Sequence, residues 1–280
     1  MDKLIAVTGS TGAIGGATAR ILAASGLALR LPVRDLGRAP ALPGATAAEC
    51  SYADRSAAVT ALEGVHTLFM VSASESKDRV EQHLTFVDAA SEAGVQHIVY
   101  TSFFGAAPDA TFTLGRDHWA TEEHIRRSGI AYTFLRNNLY LDVLQHFADD
   151  DGVIRGPAGN GRLAAVARTD VVQVAAVVLR DAAAHAGNTY ELTGPTALTL
   201  AEAAAIISQE TGREVTYRAE SVGEAYGSRQ HLGAPDWQLD AWVSTYTAIA
   251  EGGLARTTTT VQDLTGRPAL DLAQVLRGDR

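Results

Sequence analysis

Residues 7–16 read VTGSTGAIGG; they leave an apolar run, Leu4 to Thr8, and enter a segment of helical character that reaches about Ser25. Three glycines punctuate the join. Gly9 permits a sharp turn off the strand, Gly12 lets backbone approach a ligand, and Gly15 lets helix and strand pack closely. The helix that starts there offers unpaired N–H groups and the positive end of its dipole, so the turn suits a phosphate. The spacing is GxxGxxG, and its place on the first strand-to-helix turn marks a dinucleotide fingerprint rather than an ordinary tight turn.

Outward from this turn, the first 195 residues alternate short β-branched, apolar runs with longer helical stretches. Strands are expected at Leu4 to Thr8, Ala28 to Val33, Thr46 to Cys50, Thr67 to Val71, His97 to Thr101, Tyr132 to Arg136 and Tyr190 to Thr193. After Ser76, Val80, Leu84 and Val87 share one helical face, and Gly94 follows as a left-handed cap. Asp170 to Ala183 reads as a further helix that covers the sheet. The expected fold is α/β, a Rossmann-type doubly wound parallel sheet.

After Gly194-Pro195 the pattern changes. Thr199 and Glu202 form a capping box for a helix ended by Gly212, and a strand follows at Glu214 to Arg218. Pro235-Asp236 opens a helix whose Leu239, Trp242, Tyr246 and Ile249 share a face, and Leu264, Leu270 and Leu272 mark short terminal elements. This gives a nucleotide-binding domain over 1–151 and 165–195, with a smaller C-terminal α/β substrate-capping domain over 196–280. The Gly-rich stretch Gly152 to Gly161 is expected as an exposed hairpin or lid loop, within 152–164.

The 280 residues are 46% hydrophobic and 20% charged, the balance of a soluble globular chain. With 23 basic and 32 acidic side chains the formal net charge is -9, the wrong sign for holding a nucleic-acid backbone. Cys50 is the only cysteine, which excludes an intrachain disulfide and a cysteine zinc cage. The eight histidines show no metal-ligand spacing, and no metal site is expected. No leader pattern and no apolar run of membrane-spanning length is seen, so a cytoplasmic protein without a membrane partner is expected.

At the end of the second strand, 19 residues after Gly15, stands Arg34, with Arg38 close behind. A guanidinium there binds a 2′-phosphate, so NADPH is expected as the cofactor; Asp35 facing a ribose would instead admit NAD. The Tyr-xxx-Lys pair of many short-chain dehydrogenases is missing, because the only lysines, Lys3 and Lys77, do not follow a tyrosine by four residues. At the corresponding stretch, DHWATEE, His118 and Glu122 occupy that spacing.

With VTGSTGAIGG, Arg34, YTSFFG, DHWATEE and YTFLRNNLY in view, the chain resembles the NmrA-like atypical short-chain family, and most of all its type 2 quinone oxidoreductases and triphenylmethane reductases. The likeness continues through YELTGPTALTLAEAA and TYTAIAEGG. It implies an NADPH-dependent oxidoreductase, with a planar quinone or dye set against the nicotinamide beneath the C-terminal domain; a homodimer is left open. By this resemblance Gly9, Ser10, Thr11, Gly12, Ala13 and Ile14 hold the pyrophosphate, Arg34 the 2′-phosphate, and Val71, Ser72 and Ala73 the ribose side. Asn137, Asn138 and Tyr140 flank the nicotinamide and acceptor. Ser51 departs from an Asp common among relatives, so an adenine contact there is not carried over. His118 is the expected proton donor, the alternative being a histidine that only supports the fold; Tyr140 either stacks on the acceptor or fills core. Some family members instead sense NADP(H) and regulate a partner, and the missing pair keeps that alternative alive.

Overall fold

In the computed structural model, which describes residues 3–279, the chain runs β1 (Ile5–Val7), α1 (Ala13–Ala24), β2 (Leu29–Val33), β3 (Ala45–Glu49), α2 (Arg55–Leu62), β4 (Thr67–Met70), α3 (Arg79–Glu92), β5 (His97–Phe103), α4 (Thr113–Ser128) and β6 (Ala131–Asn137). It continues through α5 (Leu141–Leu144), β7 (Val153–Gly156), β8 (Arg162–Leu163), α6 (Arg168–Arg180), β9 (Thr189–Leu192), β10 (Leu198–Thr199) and α7 (Leu200–Thr211). The last elements are β11 (Thr216–Ala219), α8 (Val222–Arg229), α9 (Asp236–Ala250), α10 (Thr260–Thr265) and α11 (Leu272–Arg277).

Seven strands form one sheet in the order β3-β2-β1-β4-β5-β6-β9. The pairs β1/β2, β1/β4, β2/β3 and β4/β5 are parallel. This is the doubly wound Rossmann-type sheet, and all seven expected strands are in it. Because the order reverses between β1 and β4, the crevice beyond their carboxyl ends is where such a sheet binds ligands. Pro32, inside β2, has no N–H to donate. The pairing with β1 ends at Ala6↔Arg30, before Pro32 is reached, so the missing donor costs that ladder nothing.

The chain divides into two compact units. The first takes residues up to Ser102, Asp117–Arg136 and Val171–Tyr190. Its core includes Leu62, Phe86, Tyr100, Ile125 and Phe134, each fully buried. One expectation for this unit needs correction. Val80 and Leu84 of α3 are only half-buried, and the buried face is Arg79, His83, Phe86, Val87, Ala89 and Ala90. Apolar periodicity located the helix but rotated it, because two of the side chains turned inward are polar.

The second unit comprises Phe103–Arg116, Asn137–Asp170 and the chain from Glu191 onward. Ile154, Leu200, Ile207, Tyr246 and Ile249 are among its core residues. Thr199 and Glu202 make the expected capping box of α7, which ends on Gly212 at φ 71°. The stretch 152–161 is not the exposed hairpin expected. It holds β7, which pairs in parallel with β11 from Thr216↔Val153 to Ala219↔Gly156. A Cβ on Gly156 would fall 2.3 Å from the Tyr246 ring, so this glycine serves close packing, not mobility. Among the described residues no helix is long and apolar enough to cross a membrane.

Candidate active site

The turn after β1 has the conformation its glycines require. Gly9 adopts φ 61°, and the Gly12 N–H closes the loop by donating to the Gly9 carbonyl at 2.9 Å. A Cβ on Gly15 would lie 2.3 Å from the Thr8 oxygen, whereas one on Gly12 would meet only the Gly9 oxygen, at 3.4 Å. Gly15 is therefore required by packing within the fold, while the space at Gly12 is open. Gly12 is the N-cap of α1; no side chain caps this helix and no acidic residue stands in its first turn. Its dipole and leading N–H groups are left for an external anion. Ser10 is buried, and its Oγ has no hydrogen-bond partner among the described residues. Thr11, Gly12 and Ala13 are exposed, and Ile14 is buried beneath them. An orphaned hydroxyl, an uncapped helix and a side-chain-free approach together fit a dinucleotide pyrophosphate.

Beside this turn, β4 ends at the switch point. Val71 packs on Gly9, whose Cβ position is 3.2 Å from the valine Cβ. From here three successive amides donate to side chains: Val71 to Thr8 Oγ1 at 2.8 Å, Ser72 to Thr101 Oγ1 at 2.8 Å, and Ala73 to His83 Nε2 at 2.9 Å. The Val71 carbonyl accepts from the Tyr52 hydroxyl at 2.6 Å, and the Ala73 carbonyl accepts from Arg79 Nε at 3.1 Å. Tyr52 also bonds Thr8 Oγ1 at 2.6 Å and stacks on Phe86. Ser51 Oγ accepts from the Ala53 amide in a local turn.

Behind these peptides lies a buried polar network joining α3 and α4. Since His83 Nε2 accepts from Ala73, its proton sits on Nδ1, which is 2.9 Å from Thr121 Oγ1; Thr121 in turn donates to the Asp117 carbonyl. Burial, helped by the Arg79 charge, holds the His83 pKa down to about 3. Arg79 is 4% exposed; it donates to His118 Nε2 at 3.0 Å and approaches Asp117 at 3.6 Å. His118 Nδ1 lies 2.9 Å from the Tyr100 hydroxyl. A guanidinium only donates, so Nε2 of His118 carries no proton. Burial first, then Arg79, pushes its pKa well down. The expected proton donor is thus a neutral imidazole, engaged on both nitrogens.

Glu122, also singled out by spacing, is completely buried. It accepts two bonds from Arg136, at 2.8 and 2.6 Å, one from Arg126 at 3.2 Å and one from Ser102 at 2.6 Å. This is a structural ion pair. Arg34 is exposed just past β2 and has no ion-pair or hydrogen-bond partner among the described residues. Asp35 is occupied instead: its carboxylate accepts from the Gly37 amide at 2.9 Å and caps the short turn Leu36–Arg38.

In the second unit, Asn137 and Asn138 are both buried but differ in what they touch. Asn137 donates to the Tyr140 hydroxyl at 3.3 Å, and its buried Oδ1 has no hydrogen-bond partner among the described residues. Asn138 is used up internally, donating to the Leu254 carbonyl at 3.1 Å and accepting from the Leu139 amide at 2.8 Å. The Arg168 guanidinium lies over the Tyr140 ring at 5.2 Å. The structure therefore brings Gly9–Ile14 together with Val71–Ala73, and Asn137 together with Tyr140, while His118 joins a network that spacing did not reveal. Arg79, His83, Thr101 and Tyr52 were missed. Their available signal was the pairing of Arg79 and His83, four residues apart on α3, with His118 and Thr121, three apart on α4. Among the described residues no group of three or more His, Cys, Asp or Glu could hold a metal.

Known proteins resemble this chain along nearly its whole length. Residues 1–228 match the sequence pattern of the NmrA-like family. The chain is 34% identical over 278 residues to quinone oxidoreductase 2 of Escherichia coli, covering 97% of this chain and 96% of that protein. The crystal structure of that oxidoreductase with NADPH superposes with a TM-score of 0.89 over 98% of this chain and 99% of that one. An NAD(P)H azoreductase of Xenophilus azovorans is 32% identical over 97% of this chain and 96% of its own length. The triphenylmethane reductase of Citrobacter sp., solved with NADP(H), is 30% identical with a TM-score of 0.85, over 99% of this chain and 100% of that one. The glycine turn, the doubly wound sheet and a likeness that runs nearly end to end place this chain in the NmrA-like family.

Proposed function

We propose that this protein is an NADPH-dependent oxidoreductase that reduces a planar, electron-poor acceptor such as a quinone or a dye. The observation that carries the reading is the uncapped start of α1 behind the Gly9 turn, with the buried Ser10 hydroxyl beside it unpartnered among the described residues. Bound NADPH supplies the hydride. The α1 amides and Ser10 anchor the pyrophosphate, Arg34 binds the 2′-phosphate, and the peptides of Val71, Ser72 and Ala73 face the ribose side. Asn137 Oδ1, with Tyr140 beside it, orients the nicotinamide and acceptor. No side chain of the Tyr-xxx-Lys kind is needed, because a quinone or cationic dye spreads or neutralises the incoming charge over its own rings. Orientation and partial exclusion of water then supply most of the rate. With His118 neutral and bonded on both nitrogens, the proton that completes a quinol comes from solvent.

The decisive experiment follows NADPH consumption with a panel of quinones and triphenylmethane dyes. Accelerated oxidation with at least one acceptor supports the reading; tight NADPH binding with no acceptor active would turn it into a cofactor-sensing regulator. Arg34→Ala is expected to weaken NADPH by about ten-fold or more while leaving NADH nearly unchanged. Equal losses for both coenzymes, read by fluorescence titration, would remove Arg34 from the phosphate.

A further inference from the structure

At the end of β4 the backbone leaves the sheet, and almost all its hydrogen bonding passes to side chains. Residues 71, 72 and 73 present six backbone polar groups, three N–H and three C=O. All three N–H groups donate to side chains, namely those of Thr8, Thr101 and His83. Two of the carbonyls accept from side chains, Val71 from Tyr52 and Ala73 from Arg79. The Ser72 carbonyl alone has no partner among the described residues. These three residues are half-buried, and side chains, rather than neighbouring strands, satisfy their peptides, which fixes the conformation of the segment.

The partners are themselves fixed. His83 can accept from Ala73 only as the tautomer protonated on Nδ1, and Thr121 selects that tautomer by receiving the Nδ1 proton while donating onward to the Asp117 carbonyl. Arg79 reaches the Ala73 carbonyl through Nε because its NH2 is held by His118 Nε2, and His118 is held at Nδ1 by Tyr100. Both polar groups of residue 73 are gripped by α3, and α4 braces the grip at His118 and Thr121.

We propose that Arg79, His83 and His118 are positioning residues that lock the Val71–Ala73 peptides, leaving the Ser72 carbonyl as the acceptor for a ribose hydroxyl of the dinucleotide. The α4 stretch where short-chain enzymes keep their proton-transfer pair thus serves here to shape the cofactor site. The inference rests on the NADPH reading above, and the test separates the two.

His83→Leu removes the acceptor of the Ala73 amide, and His83→Gln returns one, because the Gln Oε1 can take the place of Nε2. NADPH and NADH dissociation constants, KM for NADPH and kcat at saturating NADPH are measured on the folded variants. His83→Leu should weaken both coenzymes by the same factor, about ten-fold, and raise KM to match, with kcat within about two-fold of the parent. His83→Gln should recover coenzyme affinity to within about three-fold of the parent. The common factor for NADPH and NADH distinguishes this effect from that of Arg34. A folded His83→Leu variant that melts at lower temperature yet binds NADPH as the parent does would overturn the proposal and leave the network a purely structural one. If His83→Leu does not fold, Thr101→Val, which removes the acceptor of the Ser72 amide with little change of shape, takes its place: weakened binding of both coenzymes supports the inference, and unchanged binding overturns it. If the parent protein itself binds neither coenzyme, the NADPH reading falls and this inference with it.

Discussion

Glu122 shows how far one residue's meaning depends on partners distant in sequence. Spacing placed it where a catalytic pair member could stand, but its carboxylate is fully buried and carries Arg136, Arg126 and Ser102. Glu122→Gln leaves two guanidinium groups facing a neutral amide in the interior, and should cost about 3–5 kcal/mol of stability in chemical denaturation. A loss under about 1 kcal/mol would mean that solvent already screens the pair. The buried imidazoles make a second prediction. His83 and His97 are held neutral, with pKa values near 3 and 4 against an ordinary 6.5, burial being the main cause in both. Below pH 6.5 the unfolded chain takes up protons that the folded one refuses, so stability is lost as pH falls from about 6.5 toward 4. Each imidazole contributes up to about 1.4 kcal/mol per pH unit in that window. Urea midpoints measured from pH 7 to pH 4.5 should show the decline, and His83→Gln should flatten it.

At the scale of elements, what was legible is what is local. The seven strands and the α1 turn follow from runs and spacings within a few residues, and Gly9 and Gly15 act as those spacings require. The two glycines of the same helix start make a sharp contrast. Gly15→Ala puts a Cβ 2.3 Å from the Thr8 oxygen and should destabilise the fold by about 2 kcal/mol or more. Gly12→Ala meets nothing closer than 3.4 Å, so the protein should melt near the parent temperature but bind NADPH at least about ten-fold more weakly. A Gly12→Ala protein with parental NADPH affinity would count against backbone approach at that position. Two elements were misjudged for one reason, that the decisive contact lay far off in sequence. Apolar spacing gives α3 the face of Val80, Leu84 and Val87, of which only Val87 is buried, because Arg79 and His83 turn inward to meet His118 and Thr121 of α4. The glycines of 152–161 suggest an exposed hairpin or lid loop, although Gly156 is small because Tyr246 sits against it.

Considered whole, the molecule carries a formal charge of -9. Under the proposed function this charge bears on which acceptors arrive fastest. A cationic triphenylmethane dye is drawn toward an acidic protein at low salt and less so when the field is screened, whereas a neutral quinone feels neither. Raising ionic strength from about 0.02 to 0.3 M should lower kcat/KM for the dye by about two- to five-fold and leave that for the quinone unchanged. Equal responses would show that the charge lies away from the acceptor's path. No local spacing predicts this, because it is a property of the summed surface.

The second unit is made of three stretches separated along the chain, and they close on one another late. Leu254 supplies the carbonyl that receives Asn138 and the Ala164 amide, and Leu272 sits in the same core. During synthesis, residues 103–116 and 137–170 must therefore wait on the ribosome for the rest of their unit, and for Leu254 until more than eighty residues later. Their apolar surface stays open through that interval, which makes this unit, rather than the sheet, the part of the nascent chain most dependent on chaperones.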